Sequence, residues 1–409
     1  SEQCPTSRAG MPGTGANNDD AAFAATAVAD QFFPRTPGPP LPKSGLTALG
    51  LSPTRPIPAF FLGFFKMITT TRLMRAVACA IALAASLPSV PAFAASTTYP
   101  LTIRNCGRDL TFAKPPQRAV SLGQSTTEIL YLLGLADKTV GTAVWLGPVL
   151  KGYEEANAKV PRLADNDPSF ESVIARKPDI VTVQFQWHIG PKGTVGTIEQ
   201  FADLKIPVYT SPADCIGKDN SSGGDGVRAD AFSMDLIYQE IRDLAQIFDV
   251  QDRGETVVAE LKAREDAARQ KIASSGGKLS AVFWFSSANP AADPYVAGKN
   301  GAPGYVMKAL GIRNIIESEE EWPTIGWETI ARADPSIIVA ARMERRRFPA
   351  DDVAVKHRFL KEDPVTSLMT AVKQNRVVDL DAQTMNPTIR TIDGIEALAD
   401  SIAELGLAR

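Results

Sequence analysis

Phe170-Glu171-Ser172-Val173-Ile174-Ala175-Arg176-Lys177-Pro178-Asp179-Ile180-Val181 has a counterpart further along the chain, Trp327-Glu328-Thr329-Ile330-Ala331-Arg332-Ala333-Asp334-Pro335-Ser336-Ile337-Ile338. In each segment a glutamate stands seven residues before a proline that leads into a short β-rich apolar run. A helical turn closed by Pro and followed by a buried strand is the grammar of parallel α/β units. Arg118-Ala119-Val120-Ser121-Leu122 is likewise echoed by Arg376-Val377-Val378-Asp379-Leu380. Two matches in separate halves favour two similar lobes over a chance repetition of one local pattern.

Outward from these segments the same alternation continues. Strands are expected at Ala119–Leu122, Val140–Val144, Ile180–Phe185 and Val208–Tyr209, with helices at Thr126–Leu135 and Ile198–Leu204. The second half repeats the scheme, with strands at Ala281–Phe285, Ile337–Ala340 and Val377–Leu380 and helices at Tyr305–Leu310 and Ile392–Leu405. Between the halves, Phe232, Leu236, Ile237, Ile241, Leu244, Ile247 and Phe248 recur at helical steps within 229–273. About 45 residues at about 1.5 Å each would make a rod of about 65 Å, so a bend is expected near Asp249–Gly254. The fold class expected is α/β: two similar α/β lobes joined by a long helical backbone. The lobes are assigned to 95–228 and 276–409, the connecting backbone helix to 229–275. Closing such a molecule requires bending hydrogen-bonded helix, so the cleft between the lobes should be nearly preformed.

The remainder of the 409 residues bears on destination. The first 66 hold 10 of the 30 prolines and no sustained apolar period. They read as disordered, or as a leader upstream of a true start at Met67. From Met67 the pattern is that of a secretory signal, 67–94. Arg72 and Arg75 precede an apolar run at Ala76–Leu87 too short to span a bilayer, and Ala92-Phe93-Ala94 offers the cleavage pattern. Cys79 lies inside the apolar run rather than after it, so no lipid anchor is expected. The net charge of −3 argues against nucleic acid as a partner. Beyond the signal two cysteines remain, Cys106 and Cys215, a candidate disulfide in an oxidising compartment; two unpaired thiols are the alternative.

The arm Leu101–Arg108, the run Lys114-Pro115-Pro116-Gln117-Arg118-Ala119-Val120-Ser121-Leu122 and Ser125-Thr126-Thr127-Glu128-Ile129-Leu130 followed by Leu133-Gly134-Leu135 resemble the opening of a helical-backbone (class III) periplasmic binding protein. Glu171–Val181, Gly298–Ile316 and Gly326–Ile338 resemble later parts of that family, so the likeness runs over about 100–400. It implies a periplasmic receptor of an ABC importer for ferric siderophores, haem or cobalamin, working as a monomer with an inner-membrane permease. Members dock through one acidic residue on each lobe. Glu128 matches the first, as an exposed carboxylate near the start of a short helix. The second position falls near Tyr305, which is no carboxylate.

For the ligand, Trp145, Trp187 and Trp284 lie at or beyond strands whose C-terminal ends should face the cleft. Aromatic faces there suit a flat chelate. Arg342 and Arg345 follow the strand at Ile337–Ala340 and could fork onto carboxylate or catecholate oxygens. His188, after Trp187, is a possible iron ligand or donor; Arg390 is a weaker ligand candidate. Trp322 and Trp327 flank a turn and are expected to pack locally. With two His in the chain, a multi-histidine metal site is not expected. No G-x-S-x-G, H-E-x-x-H or C-x-x-C occurs, so an enzyme is not expected and no cofactor is assigned. The reading is capture of a ferric siderophore, with cobalamin or haem next and an exported cleft hydrolase as the alternative of another class.

Overall fold

The computed structural model describes residues 96–221, 226–275 and 277–408; the leader expected at 1–66 and the signal expected at 67–94 lie outside the described residues. The described chain opens with a hairpin. Strands β1 (Leu101–Asn105) and β2 (Arg108–Phe112) pair antiparallel around Cys106-Gly107, whose φ values of 46° and 78° suit a tight two-residue turn. Cys106 is bonded to Cys215, 109 residues on. Asn105 adds two hydrogen bonds to the backbone of Thr210, each 2.8 Å. The arm is thereby fastened to the first lobe, as expected; in the chain-entropy picture a loop of this length stabilises by about 4–5 kcal/mol.

The first lobe is a fully parallel sheet of β3 (Ala119–Leu122), β4 (Thr139–Ala143), β5 (Arg162–Ala164), β6 (Ile180–Val183) and β7 (Val208–Thr210), in the order β5-β4-β3-β6-β7. Strands β3, β6 and β7 are buried on both faces, which is why they read as predominantly apolar runs, whereas the edge strand β5 is partly exposed. Helices α1 (Gln124–Leu132), α2 (Glu154–Lys159), α3 (Phe170–Ile174) and α4 (Ile198–Asp203) connect them. Helix α1 starts directly after Gly123, where φ is 145° and a Cβ would stand 2.2 Å from that of Gln184. Only glycine fits there. The direction in which successive strands are added reverses between β3 and β6, the place where open parallel sheets form a crevice beyond their strand ends.

A short hairpin, β8 (Lys218–Asp219) with β9 (Val227–Arg228), precedes the link. The link is a pair of helices, α5 (Met234–Ile247) and α6 (Gln251–Lys271), which corrects the single long helix expected over 229–275. The chain breaks at Phe248–Val250, with Asp249 at φ 59°, and folds back. Arg242 meets Glu255 at 2.7 Å and Lys262 lies over the Tyr238 ring, so the two helices run antiparallel. Helix α5 belongs to the first lobe: Tyr209 donates to Asp243 and Ser211 to Glu240. The rod between the lobes is α6 alone, about 31 Å long. Its start touches the first lobe through Arg253 and the Leu132 carbonyl (2.7 Å); its later turns meet the last helix through Arg264, with Asp393 and Glu396.

The second lobe holds β10 (Ser280–Ser286), β11 (Tyr295–Val296), β12 (Arg313–Asn314), β13 (Ile337–Arg342) and β14 (Val377–Asp381). Strand β10 is parallel to β13 and β12 and antiparallel to β11, and β13 is parallel to β14. The helices are α7 (Ala302–Ala309), α8 (Trp327–Ala333), α9 (Val353–Glu362), α10 (Thr370–Lys373) and α11 (Thr391–Glu404). The quoted repeat is real in space: α3 feeds β6 as α8 feeds β13, both strands lying beside the first strand of their sheet. The second echo is not, because β3 is central and β14 lies at an edge. One continuous apolar core runs from Ile129 and Ile180 through Ile241 and Val257 to Ala281, Val339 and Leu398. Both lobes and the helical pair share it, which leaves little freedom for a wide hinge.

Candidate functional site

A cleft with about 1100 Å3 of space, its open mouth included, lies between the lobes. The first lobe contributes Phe185 and Trp187, just beyond β6, and the loop residues Leu146 and Gly147, just beyond β4. Phe185 and Trp187 stack with ring centres 4.2 Å apart, presenting a flat, half-buried aromatic face. Opposite them, Phe285 at the end of β10 packs against Trp322 at 4.5 Å. Phe348 and Met343 complete the apolar lining.

Arg342, Arg345 and Arg347 reach the same space. The Arg347 charge is disfavoured first by burial and then by the Arg345 guanidinium, with Asp351 only partly offsetting both. Three acids share the lining: Glu344, and Asp351 and Asp381, which hold backbone groups. Asp351 accepts from Ser286 Oγ and from the backbone N–H groups of Arg347 (2.7 Å) and Phe348 (2.9 Å), folding the arginine loop back over the cleft. Asp381 caps the turn at Gln383 N (2.9 Å). Beneath, the buried Lys356 Nζ donates to the carbonyls of Phe285 (2.5 Å) and Ala341 (2.8 Å), tying the ends of β10 and β13 together. Burial pushes this amine down to about 7.

Of the seven expected ligand residues three line the cleft; Arg390, the weaker candidate, pairs with Glu128 instead. Trp187, Arg342 and Arg345 line the cleft. Trp145 does not: it is buried, donates to Thr142 Oγ1 (3.2 Å) and carries the Arg162 guanidinium on its ring. Trp284 does not either; it sits fully buried on the other face of β10, edge-on to Trp327 at 4.7 Å. His188 is buried against Asp167, 3.0 Å away, and its ring stays out of the cleft. Burial opposes the Asp167 charge, but His188 and Thr194 outweigh it and hold the carboxyl below its usual range. Residues the sequence reading missed are Phe185, Phe285, Trp322, Arg347 and Phe348. Trp322, expected to pack locally, faces the cleft.

Glu128 is not exposed. Its carboxylate is fully buried and pairs with Arg390 of the other lobe, Nε to Oε2 2.9 Å and Nη2 to Oε1 2.5 Å. The expected docking acid is therefore corrected, because a carboxylate already forked by an arginine has nothing left for a partner. Tyr305 donates to Glu265 and serves the helical pair. The repeated segments supply other acids: Glu171 and Glu328 are exposed, one in the first turn of α3 and one in the first turn of α8.

Two lobes of largely parallel sheet, a rigid connector and a lined cleft between them define a solute receptor. Residues 120–384 match the periplasmic binding protein family, and the chain belongs to it. It is 26% identical over 306 residues to an uncharacterized ABC transporter substrate-binding lipoprotein, YvrC, of Bacillus subtilis, covering 74% of this chain and 86% of that protein. It is 26% identical over 297 residues to a vitamin B12-binding protein of Vibrio campbellii, covering 71% and 92%. A periplasmic binding protein from Veillonella parvula superposes with a TM-score of 0.62 at 24% identity, over 76% of this chain and 98% of that one. The protein is a substrate-binding component of the ABC-importer type, a class that binds a small ligand and works with a permease.

Proposed function

We propose that the protein captures an anionic ferric siderophore in this cleft and hands it to an inner-membrane ABC permease. The observation that carries the reading is the set of three arginines, two of them mutually repelling, between paired aromatic faces. A ferric catecholate carries surplus negative charge on planar aromatic donors and answers both features. The second reading is cobalamin, favoured by the similarity to a vitamin B12-binding protein. Haem is less well served: among the described residues lining the cleft there is neither His nor Tyr. The receptor acts as a monomer after export and cleavage following Ala94, and nothing covalent happens to the ligand.

Trp187 and Trp322 report on occupancy. Titration of the purified protein with a ferric catecholate, a ferric hydroxamate, haemin and cyanocobalamin should quench tryptophan emission with the catecholate at the lowest concentration. Trp187→Phe and Trp322→Phe should each remove part of the quenching, while Trp284→Phe keeps it. Quenching by cyanocobalamin alone would replace the siderophore reading with the second one. No response to any of the four would reject both.

The docking acids of the family pattern are then Glu171 and Glu328. Each is exposed, each stands where a helix start stabilises negative charge, and each belongs to one of the two repeated units.

A further inference from the structure

Arg390 and Glu128 belong to different lobes, yet they form a buried, two-pronged ion pair. Burial works against the charge on Arg390, and Glu128, with Asp393 and Asp381, outweighs it. The pair does not stand alone. Glu128 Oε1 also accepts from Gln124 Nε2 (3.0 Å) and from the Leu150 N–H (3.1 Å), and Arg390 Nη2 donates to the Pro148 carbonyl (2.9 Å). Gln124 Oε1 in turn accepts from the N–H groups of Leu146 and Gly147, both at 3.0 Å. Leu146 and Gly147 are the first lobe's rim of the cleft, and Gln383 and Asn386, a turn ahead of Arg390, belong to the second lobe's rim. Every hydrogen-bonding group of loop 146–150 named here leads back to this one pair.

We propose that Glu128 and Arg390 are positioning residues for ligand capture: they pin loop 146–150 to the second lobe and so fix the width of the cleft before any ligand arrives. Neither is in the lining, so neither touches the ligand. Arg390 heads α11, which α6 holds through Arg264, with Asp393 and Glu396. The pin is therefore anchored to the rod. Arg345 crosses the cleft differently, donating to the Trp145 carbonyl (3.2 Å) and to Asn166 from an exposed position in the lining, where a ligand can take over its donors. The effect on affinity rests on the cleft being the ligand site; the effect on the loop does not.

Amide hydrogen exchange on the ligand-free protein tests the pin. In Glu128→Gln and in Arg390→Gln, exchange of the Leu146, Gly147 and Leu150 amides should quicken at least tenfold, and the double variant should add little. The amides of β3 and β6 should keep their protection. With the ferric catecholate as probe, affinity should fall tenfold or more, chiefly through faster dissociation. Unchanged exchange in 146–150 would overturn the proposal, as would an equal rise throughout the chain, which marks general destabilisation. If the native protein ignores the ferric probe, the ligand assignment falls while the exchange result still decides the pin.

Discussion

Burial pushes the Glu240 carboxyl up to about 7, with the hydrogen bond from Ser211 pulling only partly the other way. It sits on α5 against the first lobe, and its Oε1 has no protein partner. A folded-state pKa above the unfolded one means the folded chain holds the extra proton, so stability falls as pH rises from about 4.5 to about 7. Glu240→Gln keeps the shape and removes the charge. Its melting temperature should match the native protein at pH 5 and exceed it at pH 8, with at most about 3 kcal/mol gained; a variant less stable at pH 8 would contradict this. Single residues were the hardest scale to read from the sequence. Trp284 and Phe285 are neighbours in one strand whose two faces are both buried, so no alternation told which side was the cleft. Trp322 lies in a turn without periodicity. Arg347 and Phe348 reach the lining only because Asp351 folds their loop back, a contact invisible in spacing.

Among the elements, the helical pair shows what periodicity can and cannot say. The apolar steps of α5 were plain, and a bend was expected within Asp249–Gly254. The chain turns at Asp249, but Gly254 is no breaker: it lies inside α6, where a Cβ would come 2.5 Å from that of Ala245. Glycine lets the two helices touch just after they reverse. Sequence spacing gave no sign of that reversal, because a bent rod and a folded-back pair share the same period. Gly254→Ala normally favours a helix by about 1 kcal/mol. Here it should instead destabilise by about 1–3 kcal/mol through overpacking, measured by denaturant midpoint. A gain in stability would mean the helices pack less closely than described. The duplicated helix-to-strand unit, by contrast, was legible because Pro closure and strand register are local.

For the whole molecule, the two-lobed plan followed from repetition, while the cleft's closure depended on contacts between residues far apart in sequence. Glu128 shows the difference: its helix was visible, its partner across the cleft was not. Reversing Glu171 or Glu328 to Arg should cut uptake at least tenfold in cells and leave ligand affinity within twofold; unchanged uptake in both would remove these docking positions. Most directly, calorimetric titration of the mature chain with a ferric catecholate should give one chelate per chain. Binding should weaken at least a hundredfold when Arg342, Arg345 and Arg347 are all changed to Gln. Tight binding of cyanocobalamin that ignores those three substitutions would contradict the assignment of the cleft to an anionic iron chelate.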